Sequence, residues 1–169
     1  MNLKYKKQTI LALSVSLAMI LSFVESLIPP LVAIPGVKIG LANIVTVFLL
    51  YTLGIRAAGT VSLIRVLLSA LLFGNVQCLI FALSGALLSF GVMIIAKYLL
   101  PFGTVGVSVL GAVAHNAGQV VAAVIVMETA ALAYYFIPLV VSGTIAGVFV
   151  GLIAATITIR LNKILKMKK

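Results

Sequence analysis

Residues 29–43 read PPLVAIPGVKIGLAN, and this segment is the only long break between two strongly apolar runs. It holds three of the five prolines in the chain. Because proline lacks a backbone donor and fixes φ, the segment cannot continue the helix before it. A new apolar helix then begins near Gly40. We therefore predict a Pro/Gly-rich loop between the first two helices, which brings Lys38 and Asn43 to a pocket at one membrane face.

The composition around this loop is that of a membrane protein. Of the 169 residues, 64% are hydrophobic and only 8% are charged, whereas soluble domains carry roughly 25% charged residues. The net charge of +10 comes mostly from the two ends of the chain, a pattern that fits membrane lipid rather than nucleic acid. We interpret residues 1–169 as a single integral membrane domain whose first apolar run is retained rather than cleaved.

Six transmembrane helices fit the apolar pattern. They are predicted at about 8–27, 41–53, 57–73, 77–99, 104–127 and 136–159. Basic residues flank both ends, and basic flanks mark the cytoplasmic side of a membrane protein. We therefore expect a multi-pass protein of a bacterial cell membrane with both termini in the cytoplasm, which requires an even number of spans.

Small residues recur at four-residue spacing on two helices, and such spacing lets helix backbones approach closely in lipid. Helix six carries Gly143, Gly147 and Gly151, which we interpret as packing within the bundle. Helix one carries Ser14, Ala18 and Ser22. Two interpretations of this second stripe stay open, namely packing within the bundle and a docking face for a partner membrane protein.

Polar side chains are few within the predicted spans, where they are costly and tend to line cavities. With the predicted topology they gather at mid-membrane or in the outer half of several helices, as in a pocket open to the outside. The predicted substrate-binding residues are Glu25, Lys38, Asn43, Arg65, His115, Asn116 and Gln119. Their charges suit a ligand with an anionic group. The alternative is structural, with Arg65 paired to Glu25 and His115 in a bond between helices.

Residues that many enzymes need are missing from the sequence. There is no aspartate, and the only acids are Glu25 and Glu128, so the chain cannot supply clustered carboxylates for a magnesium-dependent transferase. No P-loop motif for ATP is present. One histidine and one cysteine do not make a typical metal or haem site. We expect no catalysis, no metal site and no cofactor held by the chain itself.

Residues 35–44, PGVKIGLANI, resemble the family labelled heptaprenyl diphosphate synthase component I, also called the Gx transporter family. Glu25, Arg65 and residues 115–119, HNAGQ, fit the same resemblance, which covers nearly the whole chain. The enzyme named in that label needs the carboxylates that this sequence lacks.

In size, helix number and the small residues of helix one, the chain also looks like the S components of energy-coupling factor transporters. That resemblance implies a subunit that captures a small polar or anionic nutrient from outside. It also implies docking through helix one onto a transmembrane coupling subunit driven by ATPases. Relatives of the family resemble a membrane component of flavin-linked extracellular electron transfer, which implies an alternative with bound flavin or quinone. A non-catalytic structural partner subunit is the third hypothesis.

Overall fold

The computed structural model describes residues 3–27 and 40–165, and within these ranges every regular element is helical. The α-helices are α1 (Leu3–Leu27), α2 (Asn43–Thr52), α3 (Ile55–Phe73), α4 (Val76–Tyr98), α5 (Thr104–Met127) and α6 (Phe136–Leu165), with a 3-10 helix at Ala130–Tyr135 before α6. The prediction of an all-helical protein is confirmed. Residues 28–39, which hold most of the predicted Pro/Gly-rich loop, lie outside the described residues.

Five segments of the described chain are long and apolar enough to cross a membrane. They are Lys7–Leu27, Ile55–Phe73, Val76–Tyr98, Thr104–Met127 and Ala130–Leu161. The remaining helix, α2, has 10 residues. It rises about 15 Å, half of a hydrocarbon core of roughly 30 Å. The chain is therefore a multi-pass membrane protein, and crossing is supported for five of the six predicted spans.

The short helix α2 lies at the centre of the bundle. Seven of its ten residues, from Ile44 to Leu50, are buried. It packs mainly against α6 and α3 and forms the largest apolar core of the described residues with side chains of all five long helices. The long helices turn leucine, isoleucine, valine and phenylalanine side chains outward. Such surfaces are those expected of helices that face lipid.

Glycines allow α5 and α6 to pack with their backbones in near contact. A Cβ atom added at Gly147 would lie 2.7 Å from Val109 Cα, and one at Gly151 would lie 2.7 Å from Val105 Cα. No ordinary side chain fits at such distances. The predicted packing role of the glycine stripe on helix six is therefore confirmed.

Candidate functional site

Arg65 lies near the middle of α3 and is half-buried. Its Nε atom is buried and has no hydrogen-bond partner among the residues that the structure describes. A guanidinium group carries five N–H donors and keeps its charge in proteins. Because burying such a donor without an acceptor is costly, an oxyanion or carbonyl oxygen at this position would be strongly favoured.

Two predicted site residues from other helices lie within electrostatic reach of Arg65. Glu25 interacts with Arg65 from α1, and His115 interacts with it from α5. Glu25 is only 4% exposed although it is one of two acids in the chain. The fold thus brings together three costly side chains from helices that are distant in sequence. We call Glu25, Arg65 and His115 the Arg65 cluster.

Contacts with α4 fix the position of His115. A Cβ added at Gly85 on α4 would lie 3.0 Å from His115 Cε1 and 2.9 Å from Gln119 Cγ. His115 also forms a hydrogen bond with the Gly85 backbone. Gln119 is buried one turn further along α5. The absence of a side chain at Gly85 therefore makes room for His115 and Gln119, two of the three predicted site residues of α5.

The start of α2 is joined to the Arg65 cluster through Glu25. The Glu25 carboxylate accepts a hydrogen bond from the Gly40 amide. Asn43 is the first residue of α2 and is half-buried, and its Nδ2 would lie 3.2 Å from a Cβ added at Gly40. Lys38 lies outside the described residues, so its part in a binding site stays a prediction.

Asn116 is used in a contact between helices. Its side chain is 5% exposed, and Nδ2 donates a 2.8 Å hydrogen bond to the Leu139 carbonyl on α6. A Cβ added at Gly143 would lie 2.7 Å from the same nitrogen, so the glycine permits the contact. The structure thus gives Asn116 a packing role, and its predicted role in ligand binding stays a prediction.

The small residues of helix one face the inside of the bundle. Ser14, Ala18 and Ser22 are all buried, and α1 packs mainly against α3. The outward side of α1 instead carries large apolar residues, among them Leu13, Leu17, Ile20, Val24 and Leu27. Of the two interpretations of the stripe, this conformation supports packing. The three residues are not accessible to a partner here, and docking through them stays a prediction.

Our reading of the sequence missed a second polar cluster, at the far end of α2. Lys97 on α4 donates to the Leu50 carbonyl at 2.5 Å and to the Tyr98 hydroxyl at 3.1 Å. Its Nζ also lies 4.6 Å from the ring centres of both Tyr51 and Tyr98. The only sign of this cluster in the sequence was a lysine in the last turn of an apolar helix. A lysine there is equally expected where a helix simply ends at the membrane surface.

Two crevices of the described chain lie away from the predicted site. One of about 50 Å³ lies between α3 and α4, and one of about 250 Å³ follows the outer side of α6. Neither is lined by a residue predicted to bind substrate. Within residues 3–27 and 40–165, no group of three His, Cys, Asp or Glu side chains comes together that could hold a metal ion.

Five long apolar spans surround a buried short helix, and ionisable side chains from three helices lie in the interior. These features define a small multi-pass helical membrane protein. The family model described as heptaprenyl diphosphate synthase component I matches residues 14–157. The chain therefore belongs to this family, as the residues around PGVKIGLANI predicted. No curated protein matches the chain, and no solved structure matches it.

Proposed function

We propose that the chain is the substrate-binding subunit, or S component, of an importer of the energy-coupling factor type. It captures a small polar or anionic nutrient from the outer side of a bacterial plasma membrane. The observation that carries the proposal is the guanidinium of Arg65, whose buried Nε has no hydrogen-bond partner within residues 3–27 and 40–165. A ligand carboxylate or phosphate would satisfy it, since a guanidinium binds both groups through two parallel hydrogen bonds.

The residues around Arg65 suit a binding site better than a catalytic one. His115 and Gln119 can contribute ring and amide hydrogen bonds to the polar edges of a ligand. Without aspartate, the chain has too few carboxylates to assemble a magnesium-dependent active site. We propose that the chain is not an enzyme, although the family description names a component of one.

Energy for import has to come from other subunits, because the sequence has no P-loop motif for ATP. The partners we propose are a transmembrane coupling subunit and its ATPases. If successive helices cross the membrane in alternating directions, one side of the membrane receives the end of α2, the start of α3 and the ends of α4 and α6. Four basic residues of the described chain lie at these ends, namely Arg56, Lys97, Arg160 and Lys163. We place this basic side, and both termini, in the cytoplasm.

Native mass spectrometry of protein extracted in a mild detergent tests the proposal. We expect a bound small molecule that carries a carboxylate or phosphate, and uptake of that molecule when an ATPase module is present. An absorption spectrum of the same sample distinguishes import from the alternative function in extracellular electron transfer, because bound flavin or quinone would point to electron transfer. Protein that retains nothing and supports no uptake would contradict both functions and favour a structural subunit.

A further inference from the structure

The two ends of the short helix α2 lie partly inside the bundle, since its first residue, Asn43, and its last, Thr52, are half-buried. At 10 residues it is too short to carry both ends to the membrane surfaces. The last carbonyls and first amides of a helix have no partners within it, and the aligned peptides leave partial charges at its ends. In apolar surroundings these ends need partners from elsewhere in the protein.

Lys97 supplies the partner at the C-terminal end. The chain leaves α2 at Gly54, which has φ +91°, and the amides of Leu53 and Gly54 both donate to the Leu49 carbonyl. The Lys97 ammonium group donates to the next carbonyl, that of Leu50, at 2.5 Å. A positive charge thus sits where the helix dipole is negative.

Two tyrosines enclose this lysine. The rings of Tyr51 and Tyr98 both lie 4.6 Å from Nζ, within the range of a cation–π contact. The Tyr51 hydroxyl also donates a 2.9 Å hydrogen bond to the Phe102 carbonyl, in the connection between α4 and α5. These contacts fix the lysine between α2 and the end of α4.

Glu25 supplies a partner of opposite sign at the other end. The amides of Asn43, Ile44 and Val45 donate to the carbonyls three residues earlier, so a tight turn from Gly40 leads into α2. The first amide of that turn, on Gly40, donates to the Glu25 carboxylate. A negative charge thus sits at the positive end of the helix dipole.

We propose that Lys97 is a positioning residue for the Arg65 cluster. Lys97 contacts the C-terminal end of α2, and Glu25 contacts the turn before its N-terminal end. The positive and negative charges thus lie at the ends of the helix dipole where each is favourable. Release of the Lys97 end lets α2 shift, and the turn beside Glu25 shifts with it. The inference does not require that the chain be an importer, because it concerns the position of α2 and not the identity of a ligand.

Labelling of an engineered cysteine tests this coupling. Leu41 is half-buried in the turn before α2, and Cys78 is the single native cysteine. In a Leu41→Cys, Cys78→Ser background we expect Lys97→Met to raise the rate of maleimide labelling about fivefold, since a charged helix-end contact is lost. Lys97→Arg keeps the charge and the donor and should restore the low rate.

The matched control is Lys163→Met, which removes an exposed lysine near the end of α6. It should leave the labelling rate unchanged. An unchanged rate in Lys97→Met, or an equal rise in Lys163→Met, would overturn the proposal. If Lys97→Met does not yield folded protein, Lys97→Gln takes its place, with the same outcomes.

A double-mutant cycle provides a second measurement. If α2 moves as one unit, then loss of either end already releases the other. The drop in melting temperature of Glu25→Gln combined with Lys97→Met should then be clearly smaller than the sum of the two single drops. Additive drops would mean that the two contacts act locally, and the proposal would be wrong.

Discussion

The side-chain amide of Asn116 on α5 donates a 2.8 Å hydrogen bond to the main-chain carbonyl of Leu139 on α6. Both residues are buried, and Gly143 leaves the space that the amide occupies. The bond joins two helices where lipid provides no hydrophobic force between them, so packing and polar contacts decide how they associate. One of the polar residues of the predicted site therefore also holds the bundle together.

We predict that Asn116→Ala lowers the free energy of unfolding by about 1–2 kcal/mol, the range for a buried hydrogen bond between helices. Thermal unfolding in detergent measures the change. Gln77→Ala is the control, because it removes an exposed amide at the start of α4 and should change stability little. Equal effects of the two substitutions would show that the bond to Leu139 contributes nothing.

A second prediction concerns the crossing of α4 and α5. A Cβ added at Gly118 would lie 2.7 Å from the Ser84 carbonyl oxygen and 2.9 Å from Gly85 Cα, and both are main-chain atoms that cannot turn aside. Gly118→Ala should therefore destabilise the protein by about 1–3 kcal/mol, as overpacked cores do. The shift in melting temperature gives the value.

Gly91→Ala is the matched control for this crossing. Gly91 also lies within a helix, but a Cβ there would meet nothing within 4 Å. Alanine has the higher helix propensity, so this substitution should be neutral or stabilising by up to about 1 kcal/mol. If Gly118→Ala behaved like Gly91→Ala, the two helices would be further apart than described.

A third prediction concerns the hydroxyl of Tyr51. Tyr51→Phe removes the 2.9 Å hydrogen bond to the Phe102 carbonyl but keeps the ring that contacts Lys97. The loss should cost about 0.5–1.5 kcal/mol of stability, as for a typical hydrogen bond. Tyr134→Phe changes a tyrosine that is 79% exposed and should have no measurable effect. A cost as large for Tyr134→Phe would contradict this account of Tyr51.

Apolar periodicity was sufficient to predict the helices, because a membrane span has to be long and continuously apolar. The predicted ends of α3, α4 and α5 differ from those of the structure by no more than two residues. The first and last helices were predicted too short at the ends nearest the chain termini. α1 begins at Leu3 and α6 extends to Leu165, since lysine, arginine and leucine favour helix even beyond the apolar stretch.

The sequence was less informative about which way a side chain faces than about where the helices lie. The spacing of Ser14, Ala18 and Ser22 shows that they share one face of α1, but not whether that face is turned inward. The hydrogen bond of Asn116 to a carbonyl of another helix likewise could not be predicted, because such a contact has no local signature in the sequence. The partner of Lys97 is a main-chain carbonyl 47 residues away, which only the tertiary fold brings near.

The central claim is that the guanidinium of Arg65, whose Nε is buried, binds an acidic group of a ligand. The most direct measurement is the fraction of purified protein that carries a bound small molecule in native mass spectrometry, compared between Arg65→Gln and Arg56→Gln. Arg56 is an exposed arginine on the same helix, so both variants lose one positive charge from α3. The account predicts that Arg56→Gln retains the ligand and that folded Arg65→Gln loses it. Equal retention by the two variants would contradict it.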